Sequence, residues 1–120
     1  MPQLFSRKFH AYIDYPVALG LLLMPLLLGF GSAAALLSVL TGIAALLLTA
    51  VTDHETGVVK LLPYNVHLAV DAIVGLAFLI APFALGFTGL TMAYFVVVGA
   101  TVIAVVSMHR PETATLTPAE

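Results

Sequence analysis

Residues 9–30 read FHAYIDYPVALGLLLMPLLLGF, an apolar run that nonetheless carries a histidine, an aspartate and two prolines. Residues 66–87 read VHLAVDAIVGLAFLIAPFALGF. Shifting the chain by 57 positions lays His10 on His67, Asp14 on Asp71, Pro25 on Pro82, Gly29 on Gly86 and Phe30 on Phe87. Nine of the twenty-one residues from 10 to 30 are identical under that shift. The register continues to Val39/Val96 and Gly42/Gly99 in the segment that follows each copy. This is the pattern of an internal duplication.

The rest of the composition says what kind of medium these runs occupy. Of 120 residues 62% are hydrophobic and 8% charged, with mean hydropathy +1.14; soluble domains carry about 25% charged residues, so this chain belongs in a bilayer. The net charge of −2 has no basic run behind it, which removes nucleic acid from the candidate partners. With no cysteine, disulfides, thiolate metal sites and cysteine nucleophiles are excluded. A signal peptide has a short apolar core, whereas the first apolar stretch is long and runs on through Pro25 and Phe30, so it reads as a retained span.

Four apolar segments stand out: about Phe9–Gly29, Ala33–Val51, Val66–Gly86 and Leu90–Met108. Each reaches the roughly 20 residues needed for a hydrocarbon core of about 30 Å. Helices are the only reasonable choice, because backbone groups in lipid must bond within the segment and four segments cannot close a barrel. The connections GFGSA and GFTGLT are tight, making two hairpins. The predicted fold is all-α: a four-transmembrane-helix bundle within one membrane domain, with repeat 1 at about 9–52, repeat 2 at about 66–109 and a Pro- and Thr-rich tail, 110–120, expected to be disordered. Each unit holds an even number of spans, so both copies enter from the same side and the repeats are parallel.

A two-helix repeat whose first helix carries a proline before a Gly-Phe exit resembles the SPW-repeat family of small bacterial membrane proteins. The resemblance covers about Phe9 to Met108; the family's Ser-Pro-Trp is matched at its proline alone, in Met24-Pro25-Leu26 and Ala81-Pro82-Phe83. It implies the double-hairpin fold and a bacterial inner-membrane setting, and brings no activity with it. Arg7, Lys8, Lys60 and Arg110 all fall on one side of an up-down-up-down path, while the hairpin loops near 30–33 and 87–90 are uncharged. The positive-inside rule then puts both termini in the cytoplasm. The central connection, TDHETGVVKLLPYN, reads as interfacial, with Pro63 in the first turn of the third helix.

His10 and Asp14 share a helix face at i, i+4, as do His67 and Asp71. An ionised Asp facing lipid would cost about 2.5–3.5 kcal/mol at mid-membrane, so the two pairs are expected to point inward and converge at the cytoplasmic end. The first reading of this cluster is structural: a polar pin in an accessory module, Asp accepting from His, from Tyr12, Tyr15 or Tyr64, or from loop amides. The second is a ligand site in which His10, His67, Asp14 and Asp71, with His54 and His109 supplied by loops, hold Zn, Mn or Fe, or the imidazoles hold a haem. The third is a small proton-coupled transporter using Asp14 and Asp71. Catalysis has no positive signal: no nucleophile–base set, phosphate loop or zincin motif occurs.

Other residues are read as framework. Pro25 and Pro82 shape the ends of helices one and three; Gly29 and Gly86 follow them at the exits. Gly42 and Gly99, with the pairs Ser38-xxx-Gly42 and Ala100-xxx-Ala104, allow close helix approach within the protomer. Phe9, Tyr12, Tyr64, Phe87 and Tyr94 suit an interfacial aromatic belt. An apolar exterior is satisfied by lipid and demands no protein partner, leaving a homo-oligomer or a larger membrane complex open.

Overall fold

The computed structural model describes residues 7–52 and 57–108. They form four helices: α1 (Arg7–Leu27), α2 (Ser32–Val51), α3 (Tyr64–Leu85) and α4 (Gly89–Met108). All four are long and apolar enough to span a membrane, and their boundaries fall within two residues of those expected from hydropathy. Lipid-type side chains cover the outside, Leu26, Leu27, Leu47 and Phe83 among them.

Two packed pairs build the bundle, α1 with α2 and α3 with α4, and the pairs meet far less closely than the helices within each. Glycine sets both close approaches. A Cβ on Gly42 would stand 3.0 Å from Leu21 Cβ, and one on Gly99 would stand 2.7 Å from the Gly75 carbonyl oxygen. Helices can approach this nearly only where a side chain is missing. The expected Ser38-xxx-Gly42 approach is present, both residues being buried, but Ala100 and Ala104 are exposed and the α3–α4 contact uses Gly75 with Gly99 instead.

The hairpin turns follow one plan twice. Gly29 has φ 68° and Gly86 φ 75°, and the next amide reaches back to the proline carbonyl: Phe30 N–H to Pro25 at 3.0 Å and Phe87 N–H to Pro82 at 2.9 Å. This six-to-one closure with a left-handed glycine satisfies carbonyls that would otherwise be orphaned in the membrane. Pro25 and Pro82 therefore terminate helices, and both are buried.

At the opposite end residues 58–62 fold back on α2. The amides of Val58 and Val59 donate to the Ala50 carbonyl at 2.7 and 2.9 Å, and those of Leu61 and Leu62 donate to Val51 at 3.0 and 2.8 Å. The last carbonyls of α2 are thereby occupied without water, and Val58 and Leu61 are left exposed, as suits an interfacial segment. Pro63 precedes α3 by one residue instead of lying in its first turn, and its carbonyl accepts from the amides of Val66 and His67 at 3.1 and 3.3 Å.

Aromatic packing closes the hairpin end. Phe78 and Phe95 are fully buried, their centroids 4.7 Å apart, with Phe30, Phe87 and Tyr94 around them. Ser38 Oγ donates to the Leu21 carbonyl at 2.8 Å and pairs with Tyr94 Oη at 2.7 Å, joining the two hairpins. The aromatic belt is accordingly smaller than expected: Phe9 and Tyr12 are exposed, whereas Phe87 and Tyr94 pack inside and Tyr64 is buried.

Candidate functional site

The helical spacing of four puts His10 above Asp14 on α1 and His67 above Asp71 on α3. The structure turns both faces inward: His10 is 3% exposed and His67 1%. They meet at the connection end, with the imidazole rings edge to face, 5.7 Å between centroids.

Each imidazole faces both carboxylates. His10 Nε2 lies 3.0 Å from Asp14 Oδ1 and 3.2 Å from Asp71 Oδ2. His67 Nε2 lies 3.2 Å from Asp14 Oδ2 and 3.3 Å from Asp71 Oδ2. Every group thus contacts one partner on its own helix and one on the other hairpin, and one ligand atom from each of the four residues lies within 4.8 Å of all the others.

The second nitrogen of each ring is held from outside. Tyr64 Oη pairs with His10 Nδ1 at 3.0 Å and Thr52 Oγ1 with His67 Nδ1 at 2.7 Å. Thr52 Oγ1 donates its one hydrogen to the Leu48 carbonyl, so towards His67 it can only accept, and Nδ1 must carry the ring proton. Nε2 of a neutral His67 then presents a lone pair to two carboxylate oxygens. Three such atoms stay together only around a cation, either a further proton or a metal ion.

Below this group the hairpins part and leave a cavity of about 380 Å³ between all four helices. His10, Asp14, His67 and Asp71 form one end of its wall, and aliphatic side chains such as Val74, Val102 and Ala45 form most of the remainder. Three threonines also line it, Thr41, Thr49 and Thr101; Thr41 and Thr101 donate their hydroxyls to Leu37 and Val97 of their own helices at 2.7 Å. No Asp, Glu, Lys, Arg or His lies between the cluster and the hairpin end.

The convergence of His10, Asp14, His67 and Asp71 matches the expectation from the repeat. Tyr64 was anticipated as a donor to Asp and instead pairs with His10, while Tyr12 points outward. His54 and His109 lie outside the described residues. A haem between the imidazoles does not fit, because the macrocycle plane would need the space that Asp14 and Asp71 occupy. Sequence reasoning missed Thr52, although the shift of 57 aligns it with His109 and so puts a polar residue at that position in both copies.

Comparison with protein-family models, with curated proteins and with solved structures gives no match to this chain. Fold and site together define a multi-pass, all-helical membrane protein with a buried His₂Asp₂ group joining its two hairpins.

Proposed function

We propose that this chain is a membrane-embedded metal-binding protein in which His10, Asp14, His67 and Asp71 hold one divalent first-row transition ion. The observation that carries this reading is the mutual distance of the four donor groups. Ligand bonds of about 2.0–2.2 Å in a tetrahedron set neighbouring donors roughly 3.3–3.6 Å apart. The N···O separations of 3.0, 3.2, 3.2 and 3.3 Å, reached through both oxygens of Asp14, lie close to these values, and one donor atom from each residue lies within 4.8 Å of the other three, so closing on an ion takes a modest side-chain adjustment.

Two further features support it. Tyr64 and Thr52 hold the Nδ1 atoms as outer partners commonly do for metal-bound histidines, leaving both Nε2 atoms for the ion. A divalent cation also offsets the two carboxylates, which removes the main cost of keeping them about one helical turn inside the bilayer. Imidazole with carboxylate suits Zn, Mn or Fe. The same group ties α1 to α3, so pinning the hairpins accompanies ion binding.

The SPW-repeat resemblance supports the duplicated origin of the two halves and a bacterial inner-membrane location. The clustering of Arg7, Lys8, Lys60 and Arg110 on the site's side of the sequence supports cytoplasmic termini. Binding is tested by titrating purified protein with Zn²⁺, Mn²⁺, Fe²⁺ and Co²⁺. One ion per chain that is lost in His67→Ala and in Asp71→Asn is the expected result. Equal binding by both variants would refute the assignment.

A further inference from the structure

The cavity between the hairpins has a shape and a polarity pattern that specify an occupant. On α1 its wall runs from His10 to Leu21, eleven steps of 1.5 Å or about 16 Å. The His/Asp group stands at one end, and at the other lies Leu21, whose carbonyl accepts from Ser38 of the Ser38–Tyr94 bridge. Between these ends the wall is mostly aliphatic; of its three threonines, Thr41 and Thr101 have their hydroxyls satisfied within their own helices, and Thr49 adds one more hydroxyl. Such a wall makes little demand for water, and predominantly apolar cavities stay dry or take apolar guests. At 380 Å³ it falls in the range of about 300–1,000 Å³ typical of small-molecule pockets.

The polar end adds the second half of the pattern. Asp71 is the more open carboxylate, its side chain 21% exposed against 12% for Asp14. Both line the cavity with His10 and His67, so an ion held there has the cavity on one side and packed protein on the other. Two carboxylates balance a divalent ion, and a third anion would be repelled. With four protein donors already in place, a neutral oxygen is the donor that such an ion accepts by expanding to five-coordinate.

We infer that the cavity binds a neutral, single-chain amphiphile, with its carbonyl or hydroxyl oxygen at the metal and its apolar chain extended between the hairpins towards Leu21. This rests on the metal reading for the head contact and on the cavity alone for the chain. The site is a ligand pocket entered from the lipid, where a free amphiphile of this class partitions.

The test uses the full chain in nanodiscs, loaded with Co²⁺, with 2-undecanone and n-undecane as probes. Chain occupancy is read from ¹³C-methyl NMR shifts of Val74, Val98 and Val102, and head contact from the Co²⁺ d–d absorption. The expected result is saturable methyl shifts with 2-undecanone, at least tenfold weaker with n-undecane, accompanied by a changed Co²⁺ spectrum. Filling the cavity by Val102→Phe or, from the opposite hairpin, Ala45→Leu should weaken 2-undecanone binding at least tenfold while one Co²⁺ per chain is retained. Absence of methyl shifts in Co²⁺-loaded protein overturns the proposal and leaves the metal site standing. So does equal binding of ketone and alkane, or a dimer whose helix fills the cavity. Methyl shifts in protein that takes up no Co²⁺ would overturn both the head contact and the metal site.

Discussion

Thr52 has a single hydroxyl hydrogen, and the Leu48 carbonyl takes it. That small commitment fixes the His67 tautomer through a 2.7 Å bond and leaves Nε2 as the ring atom available to an ion. Thr52→Val keeps the volume and removes the acceptor, so metal affinity should fall about 10–100-fold, measured by competition with a chromophoric chelator. Thr52→Ser should restore most of it; equal affinities for all three proteins would show that the hydroxyl plays no part. Tyr64→Phe should weaken binding in the same assay by loss of the His10 partner. The four central residues were legible in the sequence because a histidine and an aspartate cost too much in lipid to be placed twice by accident. Thr52 was not, since a threonine at a helix end has an ordinary explanation, and Tyr64 was legible as a hydrogen-bond partner of the cluster but not as the partner of His10. Their role depends on how the connection folds back, which the hydropathy pattern does not encode.

Among the elements, the two helix pairs owe their closeness to glycines whose replacement would have unequal effects. Gly99 faces the Gly75 backbone, which cannot swing aside, so Gly99→Ala should destabilise the protein by about 1–3 kcal/mol. Gly20 lies within α1 with nothing near its missing side chain, so Gly20→Ala should be neutral or stabilising through helix propensity. Denaturant unfolding in mixed micelles compares the two; equal losses would mean that the α3–α4 approach is not tight. At the turn after α3, Gly86→Ala should cost about 1–3 kcal/mol although its space is open, because φ is 75° there. The helix boundaries and the Pro–Gly–Phe exits were readable from length, hydropathy and the repeated motif. The α3–α4 contact was misassigned to Ala100 and Ala104 because small-residue spacing alone does not say which face of a helix is inside. The same ambiguity put Tyr64, Phe87 and Tyr94 in a lipid-facing belt that the structure turns inward.

Across the whole molecule, two hairpins are joined by a polar group at one end and an aromatic cluster with the Ser38–Tyr94 bridge at the other, with a cavity between. The repeat made the parallel arrangement legible; the cavity was not, because it arises from loose packing between hairpins and has no residue signature of its own. Topology has a direct check. A cysteine replacing exposed Val58 should react with a membrane-impermeant maleimide only in inverted vesicles, and one replacing Ser32 only in right-side-out ones. Labelling of both from the same side would break the four-span path. The central claim is that four side chains from two hairpins form one ion site, and the measurement closest to it is metal content by elemental analysis after incubation with excess divalent ions and desalting. The account predicts one ion per chain in the native protein and none when Asp14→Asn and Asp71→Asn are combined in a chain that still purifies as a folded species. An ion-free native protein after exposure to Zn²⁺, Mn²⁺, Fe²⁺ and Co²⁺ would contradict it.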